Sequence, residues 1–300
     1  MNRVAQHPLH GFLGALAAVA VLSIMDAVMK ALVIALGIYS VSVWRSLFNV
    51  ALTTGLYLPR RSPWPSRPTL KLHIVRGIVV TVMAALFFWA IGRVPLAQAI
   101  ALTFIAPLIA MMLASTFLHE KIGRRSIIGA IAAFAGVLII VLGQARAELG
   151  NEVLLGTAAI LGSALCYAVN IVLMRRQSQA AEPLEINFFQ SVTVAVLWLG
   201  VVPFIGFPDW PAEWWGWVLA AALMSTTGGL IFSWAYARAE ANYLAVTEYS
   251  GFLWAALLGW LVFHEPVSLY TVGGAALIVG GCIIAARAKI KIPGEVEVAT

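Results

Sequence analysis

Ten long apolar runs, divided by short polar turns, carry almost the whole chain. They cover about 11–30, 38–58, 73–92, 95–117, 126–143, 153–174, 184–206, 215–237, 242–263 and 267–286. Most are near ~20 residues, the length at which a helix crosses ~30 Å of hydrocarbon. None shows the alternation of a barrel strand, so each run predicts a helix. Proline marks the joints. Pro59, Pro63, Pro65 and Pro68 break the chain after the second run. Pro95 opens the fourth run and Pro266 the tenth, each near a first helical position. Glu265 then falls where an N-cap acid would, and Glu120 takes the same place before the fifth run. The connections are too short for a soluble domain. The expected fold class is an all-α membrane protein with ten transmembrane helices.

The pattern occurs twice. Shifting the chain by 145 positions lays 76–140 on 221–285, with 14 of 65 pairs identical. Thr81 falls on Thr226, Trp89 on Trp234, Ala90 on Ala235 and Arg93 on Arg238. His119-Glu120 falls on His264-Glu265, Gly129 on Gly274 and Gly136 on Gly281. The expected division is a first repeat over 1–149, a second over 150–288 and a polar tail over 289–300, all in one integral membrane unit. Five spans per copy is odd, so the second copy must enter from the opposite side. Such inverted-topology repeats are typical of secondary transporters; a duplicated scaffold without transport is the competing reading.

Composition agrees. The chain is 62% hydrophobic and 11% charged, against roughly 45–50% and about 25% in soluble domains. A net charge of +6 does not point to nucleic acid, because the basic residues sit in turns between apolar runs. With the N-terminus in the cytoplasm, 15 of 19 Lys and Arg, Arg76 among them, fall on the inner side, and only Arg93 and Arg146 lie in outer loops. Both termini are therefore expected to be cytoplasmic. The outer connection 207–217 carries Trp210, Trp214, Trp215 and Trp217, an interfacial aromatic belt. Ala18-Val19-Ala20 imitates a signal cleavage site, but the apolar run continues to Met29, so an uncleaved first span is expected. Cys166 and Cys282 lie inside apolar runs as small packing residues.

The segments AQAIALTFIAPLIAMMLASTFLHEKIG and NYLAVTEYSGFLWAALLGWLVFHEPVS, each followed by a glycine-spaced span, resemble the EamA family of the drug/metabolite transporter superfamily. Over its whole pattern and length the chain looks most like the YddG-type amino-acid exporters of that family. The resemblance implies a cavity lined by spans 1 to 4 and 6 to 9, with 5 and 10 peripheral. It also implies a carrier in the bacterial inner membrane that exports small metabolites. Pro266 stands where the first copy has Lys121, so the two His-Glu turns are not interchangeable.

Ionisable residues at membrane depth are costly and point to function. Asp26 and Lys30 are four apart and share a helical face, where they can pair. Arg45 lies at similar depth in the second span. These three either pin spans 1 and 2 together or hold the charged ends of an amino acid. Glu248 lies two turns into the ninth span and is a candidate proton-coupling acid, or a shallow carboxylate reaching water. Tyr167 and Asn170 share a face of the sixth span, with Ser163 a turn before; packing and ligand contact are both open. In the fourth span Gln98, Thr103 and Phe104 precede Pro107, whose missing N–H frees a carbonyl and bends the helix. Interrupted helices line transporter sites. The corresponding region of span 9 offers Tyr243, Glu248, Tyr249 and Phe252. Aromatic and hydroxyl groups there either suit a ligand with an apolar body and a polar end, or pack and face lipid. Gly129-Ala133, Ala132-Gly136 and Ala276-Gly280 are small pairs for close helix packing and a candidate dimer face.

No lysine is followed by Ser or Thr, so no P-loop exists to use ATP; no H-E-x-x-H occurs, and no nucleophile has a partner base in a nearby motif. The chain is not expected to be an enzyme, nor to hold a cofactor or metal. The expected function is export of amino acids, aromatic, hydrophobic or otherwise amphiphilic, by alternating access. Expected partners are the small-molecule substrate and membrane lipid, with no nucleic acid, in a monomer or homodimer. An exporter of drugs or other metabolites with the same fold is the alternative.

Overall fold

A computed structural model describes residues 8–61, 63–106, 108–110, 112–113, 124–146, 150–178, 180–236, 247–248 and 250–286. The described chain is all helical. Helix α1 runs Pro8–Tyr57 and a short 3-10 turn, Leu58–Arg60, follows it. Then come α2 (Arg67–Ile91), α3 (Leu96–Thr103), α4 (Arg124–Arg146), α5 (Asn151–Ser178), α6 (Pro183–Leu199) and α7 (Val202–Ile205). The last are α8 (Trp215–Tyr236), α9 (Ser250–Phe263) and α10 (Leu269–Ala286). Among the described residues five helical stretches are both long and apolar enough to cross a membrane: His10–Arg60, Arg67–Ile91, Asn151–Met174, Pro183–Ile205 and Trp215–Ala235. Leu96–Ala110, Ile127–Gly143, Ser250–Phe263 and Leu269–Gly281 are apolar but shorter.

Helix α1 is two limbs. Gly37 breaks it with φ 77 and ψ 156, a conformation that L side chains rarely adopt. Leu22 packs where a methyl on Gly228 would stand, 2.8 Å away, while Asn49 accepts from Ser225 and Thr226, each at 3.1 Å. In one straight helix, 22 and 49 would be about 40 Å apart at 1.5 Å per residue. Both lie against one stretch of α8, so the chain turns back at Gly37.

From that turn the other directions follow. Tyr39 lies at a tilt beside Trp198 and Tyr57 stacks on Phe188, so α6 runs against the second limb. His73 meets Gln177, the Met83 carbonyl accepts from Ser163, and Gly156 abuts Val94, so α2 and α5 are antiparallel. The bundle thus has a Gly37 end, which holds the α2–α3 turn, and a Tyr57 end, where α2 begins. Ser66 caps α2 by accepting from Thr69 N–H at 3.4 Å, with Pro68 in the first turn. Pro68 is therefore inside a helix start rather than in a connection, and α2 begins at Arg67 instead of about 73.

The tightest packing joins α4 to α10. A methyl on Gly136 would stand 2.5 Å from the Gly274 carbonyl oxygen, and one on Gly281 would meet the Gly129 carbonyl. Gly129 and Gly136 correspond in the repeat to Gly274 and Gly281. Each contact therefore becomes the other when the copies are exchanged. The two contacts run antiparallel along α4 and α10. The opposite face of α4 leaves Ile127, Ile131, Phe134, Leu138 and Leu142 exposed, a lipid-facing stripe.

Gly129, Ala132, Ala133 and Gly136 of α4 meet α10 within the chain. On α10 the working glycines are Gly274 and Gly281; Gly280, expected to serve, has nothing within 4 Å of an added methyl. The tenth helix also starts later than expected. It begins at Leu269, with Ser268 accepting from Thr271 N–H at 3.0 Å, so neither Pro266 nor Glu265 opens it.

Gly136→Leu is expected to lower stability by about 1–3 kcal/mol through overpacking, whereas Gly280→Ala leaves it unchanged. Thermal unfolding of the two variants in detergent checks this.

Candidate functional site

Among the described residues, three polar clusters contain side chains expected at the site or buried charges. The first closes the Gly37 end. Helix α9 ends at His264, which takes a left-handed φ of 54 and donates its N–H to the Trp260 carbonyl at 3.2 Å. This turn sends Glu265 back over Gly259, where an added methyl would lie 3.2 Å from the carboxylate. Glu265 accepts from the Leu96 N–H at 2.9 Å, at the first turn of α3, and from the Lys30 ammonium. Lys30 also donates to the Val94 carbonyl at 2.8 Å and lies 5.2 Å from the Phe263 ring. Lys30 is 3% exposed. Glu265 therefore caps α3 from the other copy, an anion on orphan N–H groups and a positive helix end. The expected Asp26–Lys30 pair does not form: Lys30 spends its charge on Glu265. Nor do Asp26, Lys30 and Arg45 meet as one group.

The second cluster lies deeper. Arg45 is buried with its guanidinium 5.0 Å from the Phe88 ring. Asp26 acts on it through space, but no ion pair within 4.0 Å joins them. Among the described residues, Arg45 Nε and Gln98 Nε2 are buried donors without a hydrogen-bond partner. Gln98 sits in the first turn of α3, two residues after the N–H that Glu265 caps. Unspent donors at this depth are costly unless something else accepts them.

The same helix ends abruptly. Phe104, which is buried, donates its N–H to the Ala101 carbonyl, Ile105 donates to that of Leu102, and Leu108 N–H turns to Ile105. Thr103 returns its hydroxyl to the Ile100 carbonyl at 2.7 Å, so it serves its own helix here. Phe252 is half-buried on α9 and packs against the main core. Pro107, Tyr243 and Tyr249 lie outside the described residues, as do the His119-Glu120 turn and the side chain of Cys282.

The third cluster lies toward the Tyr57 end. Tyr167 donates to Glu248 at 3.2 Å, bringing together two residues expected at the site. Asn170, one turn on, accepts from Arg76 Nε at 2.8 Å, and Gln177 accepts from Arg76 Nη1 at 2.7 Å. The Gln177 amide also meets His73, whose other nitrogen lies 3.1 Å from Glu185. The His73 ring stacks on Phe189. Arg76, expected at the inner side within the run 73–92, is buried. Sequence reasoning missed Arg76, His73, Gln177, Glu185 and the role of Glu265. The Ser66–Pro68 signature held the clue to Arg76: a helix starting at Arg67 carries position 76 more than two turns inside.

With this geometry in place, comparison with known proteins identifies the kind of molecule. The EamA-like transporter family model matches twice, over residues 9–142 and 154–287. The chain belongs to the EamA-like transporter family. It is a multi-pass membrane transporter of the drug/metabolite kind, built from two EamA repeats. Among its relatives, the pseudopaline exporter CntI of Pseudomonas aeruginosa (strain UCBPP-PA14) is 29% identical over 274 residues, spanning 89% of this chain and 92% of that one. A riboflavin transporter of Vibrio cholerae is 27% identical over 291 residues, spanning 92% of each. A solved crystal structure aligns with a TM-score of 0.60 at 22% identity, covering 94% of this chain and 98% of its own. At that identity it shares the fold alone.

Glu265→Leu is expected to destabilise the protein by about 3 kcal/mol, because it strands a buried ammonium. The double variant Lys30→Met, Glu265→Leu removes both charges and regains part of the loss. A double-mutant cycle on unfolding midpoints measures the coupling.

Proposed function

We propose that the chain is a secondary carrier of ten transmembrane helices, in two inverted five-helix repeats, that exports small amphiphilic metabolites by alternating access. The two limbs of α1 count as the first two spans. The remaining eight begin in turn with α2, α3, α4, α5, α6, α8, α9 and α10. The exchange of glycine contacts between α4 and α10 supports inversion: antiparallel equivalents map onto each other only by rotation about an axis across them. The Gly37 end is the outer face and the Tyr57 end the cytoplasmic one, in keeping with the bias of basic residues. The membrane is the bacterial inner membrane, with both termini in the cytoplasm.

Amino acids with apolar or aromatic side chains are the substrate class this interior suits best. The observation that carries this is Arg45, buried beside Asp26 with its Nε donor unspent. A zwitterion offers a carboxylate to the guanidinium and an ammonium to the carboxylate, while Gln98 supplies a further donor. Phe88 and Phe252 supply apolar surface. A second reading is export of another metabolite through the same path. It is favoured by the names of the relatives, a pseudopaline exporter and a riboflavin transporter.

Purified protein in liposomes should catalyse counterflow of labelled amino acids, and Arg45→Gln should reduce it about tenfold or more, the loss of one charge-assisted contact. Counterflow of none of the twenty amino acids would remove the substrate class while leaving the carrier. For topology, single cysteines at His264 and Trp234 should react with impermeant reagents from opposite faces. Labelling from one face only would end the inverted arrangement.

A further inference from the structure

Arg76 is a buried cation that the described protein surrounds but does not neutralise. It is 7% exposed, and no carboxylate lies within 4.0 Å of it among the described residues. Its hydrogen-bond partners among the described residues are two neutral oxygens, Asn170 Oδ1 at 2.8 Å and Gln177 Oε1 at 2.7 Å. Those amides are fixed from behind. The Gln177 nitrogen is spent on His73, and His73 is held by Glu185 and by stacking on Phe189. This shell aims the guanidinium and keeps its charge available. A planar guanidinium with donors in reserve is the side chain that best grips a carboxylate.

The neighbour on the next turn behaves accordingly. Tyr167, three residues before Asn170 on α5, already donates to a carboxylate, that of Glu248, and interacts electrostatically with Arg76. The position is also distinct from the Arg45 cluster. Arg45 lies over Phe88, and Phe88 is twelve residues along α2 from Arg76, about 18 Å at 1.5 Å per residue.

We infer that Arg76, with Asn170 and Tyr167, forms a second, cytoplasmic-side station that binds the carboxylate of the transported metabolite before it reaches Arg45. This rests on the reading of the chain as a carrier of carboxylate-bearing metabolites. A ligand loading from the Tyr57 end meets Arg76 first, and one loading from the Gly37 end meets Arg45 first. The two cations therefore govern affinity on opposite faces.

The test uses the full chain in oriented liposomes, with a transported amino acid and its carboxamide as competing probes added to one face at a time. In the unmodified protein the carboxamide should compete about tenfold or more less well than the acid from either face. Arg76→Gln should erase that preference on the cytoplasmic face and keep it on the outer face. Arg45→Gln should do the reverse. Asn170→Asp, which sets a carboxylate beside Arg76 without stranding the cation, should act like Arg76→Gln and decides the matter if that variant does not fold. A cytoplasmic preference unchanged in either variant, or lost equally on both faces, overturns the station. Failure of the unmodified protein to transport any carboxylate-bearing metabolite would instead sink the underlying function.

Discussion

Lys30 is buried in the bundle, and groups from far along the chain hold its ammonium there. Glu265 takes the ammonium, the Val94 carbonyl takes another of its protons, and the Leu96 N–H shares the same carboxylate. In a membrane interior an unsatisfied polar group has no solvent to turn to. The first limb of α1, the α2–α3 turn and the α9–α10 turn are therefore tied as one knot. None can leave alone without stranding a polar partner. Much else at this end serves the knot: the left-handed His264 aims Glu265, and Gly259 leaves room for its carboxylate. The capped α3 then presents Gln98 to the interior in its first turn.

The rest of the bundle holds together differently. Lipid tails are as apolar as leucine, so helices in a bilayer gain from contact rather than from escape from water. That explains why α4 and α10 meet through glycine backbones, with Ile140 and Ile278 packed onto those glycines. It also explains why the exchange symmetry is sharpest here. Backbone-to-backbone contact tolerates no added methyl on either side, so equivalent glycines sit at equivalent crossings.

Much of this was legible in the sequence. The repeat, the apolar runs and the EamA likeness follow from patterns that lie within short windows or at one fixed offset. What was not legible is pairing between distant helices. Lys30 had a plausible acid four residues away in Asp26, and helical spacing favoured it. The acid that took it is 235 residues further on. Local geometry permits a pair, but the competing desolvation of each partner in the folded bundle decides it. The burial of Arg76 was harder to read for a simpler reason: an apolar window begins where charges thin out, whereas a helix begins where its cap is. Ser66 and Pro68 start α2 two turns before the apolar run, and those polar first turns carry His73 and Arg76 into the interior. The joint at Gly37 was already left open between the expected runs 11–30 and 38–58, although no proline or charge marks the reversal there.

The three buried cations then divide by how completely the protein satisfies them. Lys30 has a carboxylate, a carbonyl and a ring; it is a structural charge, and a ligand could gain little from it. Arg45 and Arg76 have rings, amides and acids at a distance, with no ion pair within 4.0 Å among the described residues. A carrier needs this incompleteness. A charge fully matched by its own protein has no free energy left for a substrate, and a wholly unmatched one would not stay folded in lipid. Neutral amide oxygens are the intermediate solution: they orient a guanidinium and soften its desolvation without cancelling its charge. On the proposed reading, a metabolite's carboxylate completes each arginine in turn. The substrate binds because it finishes a hydrogen-bonding task that the helices leave partly undone.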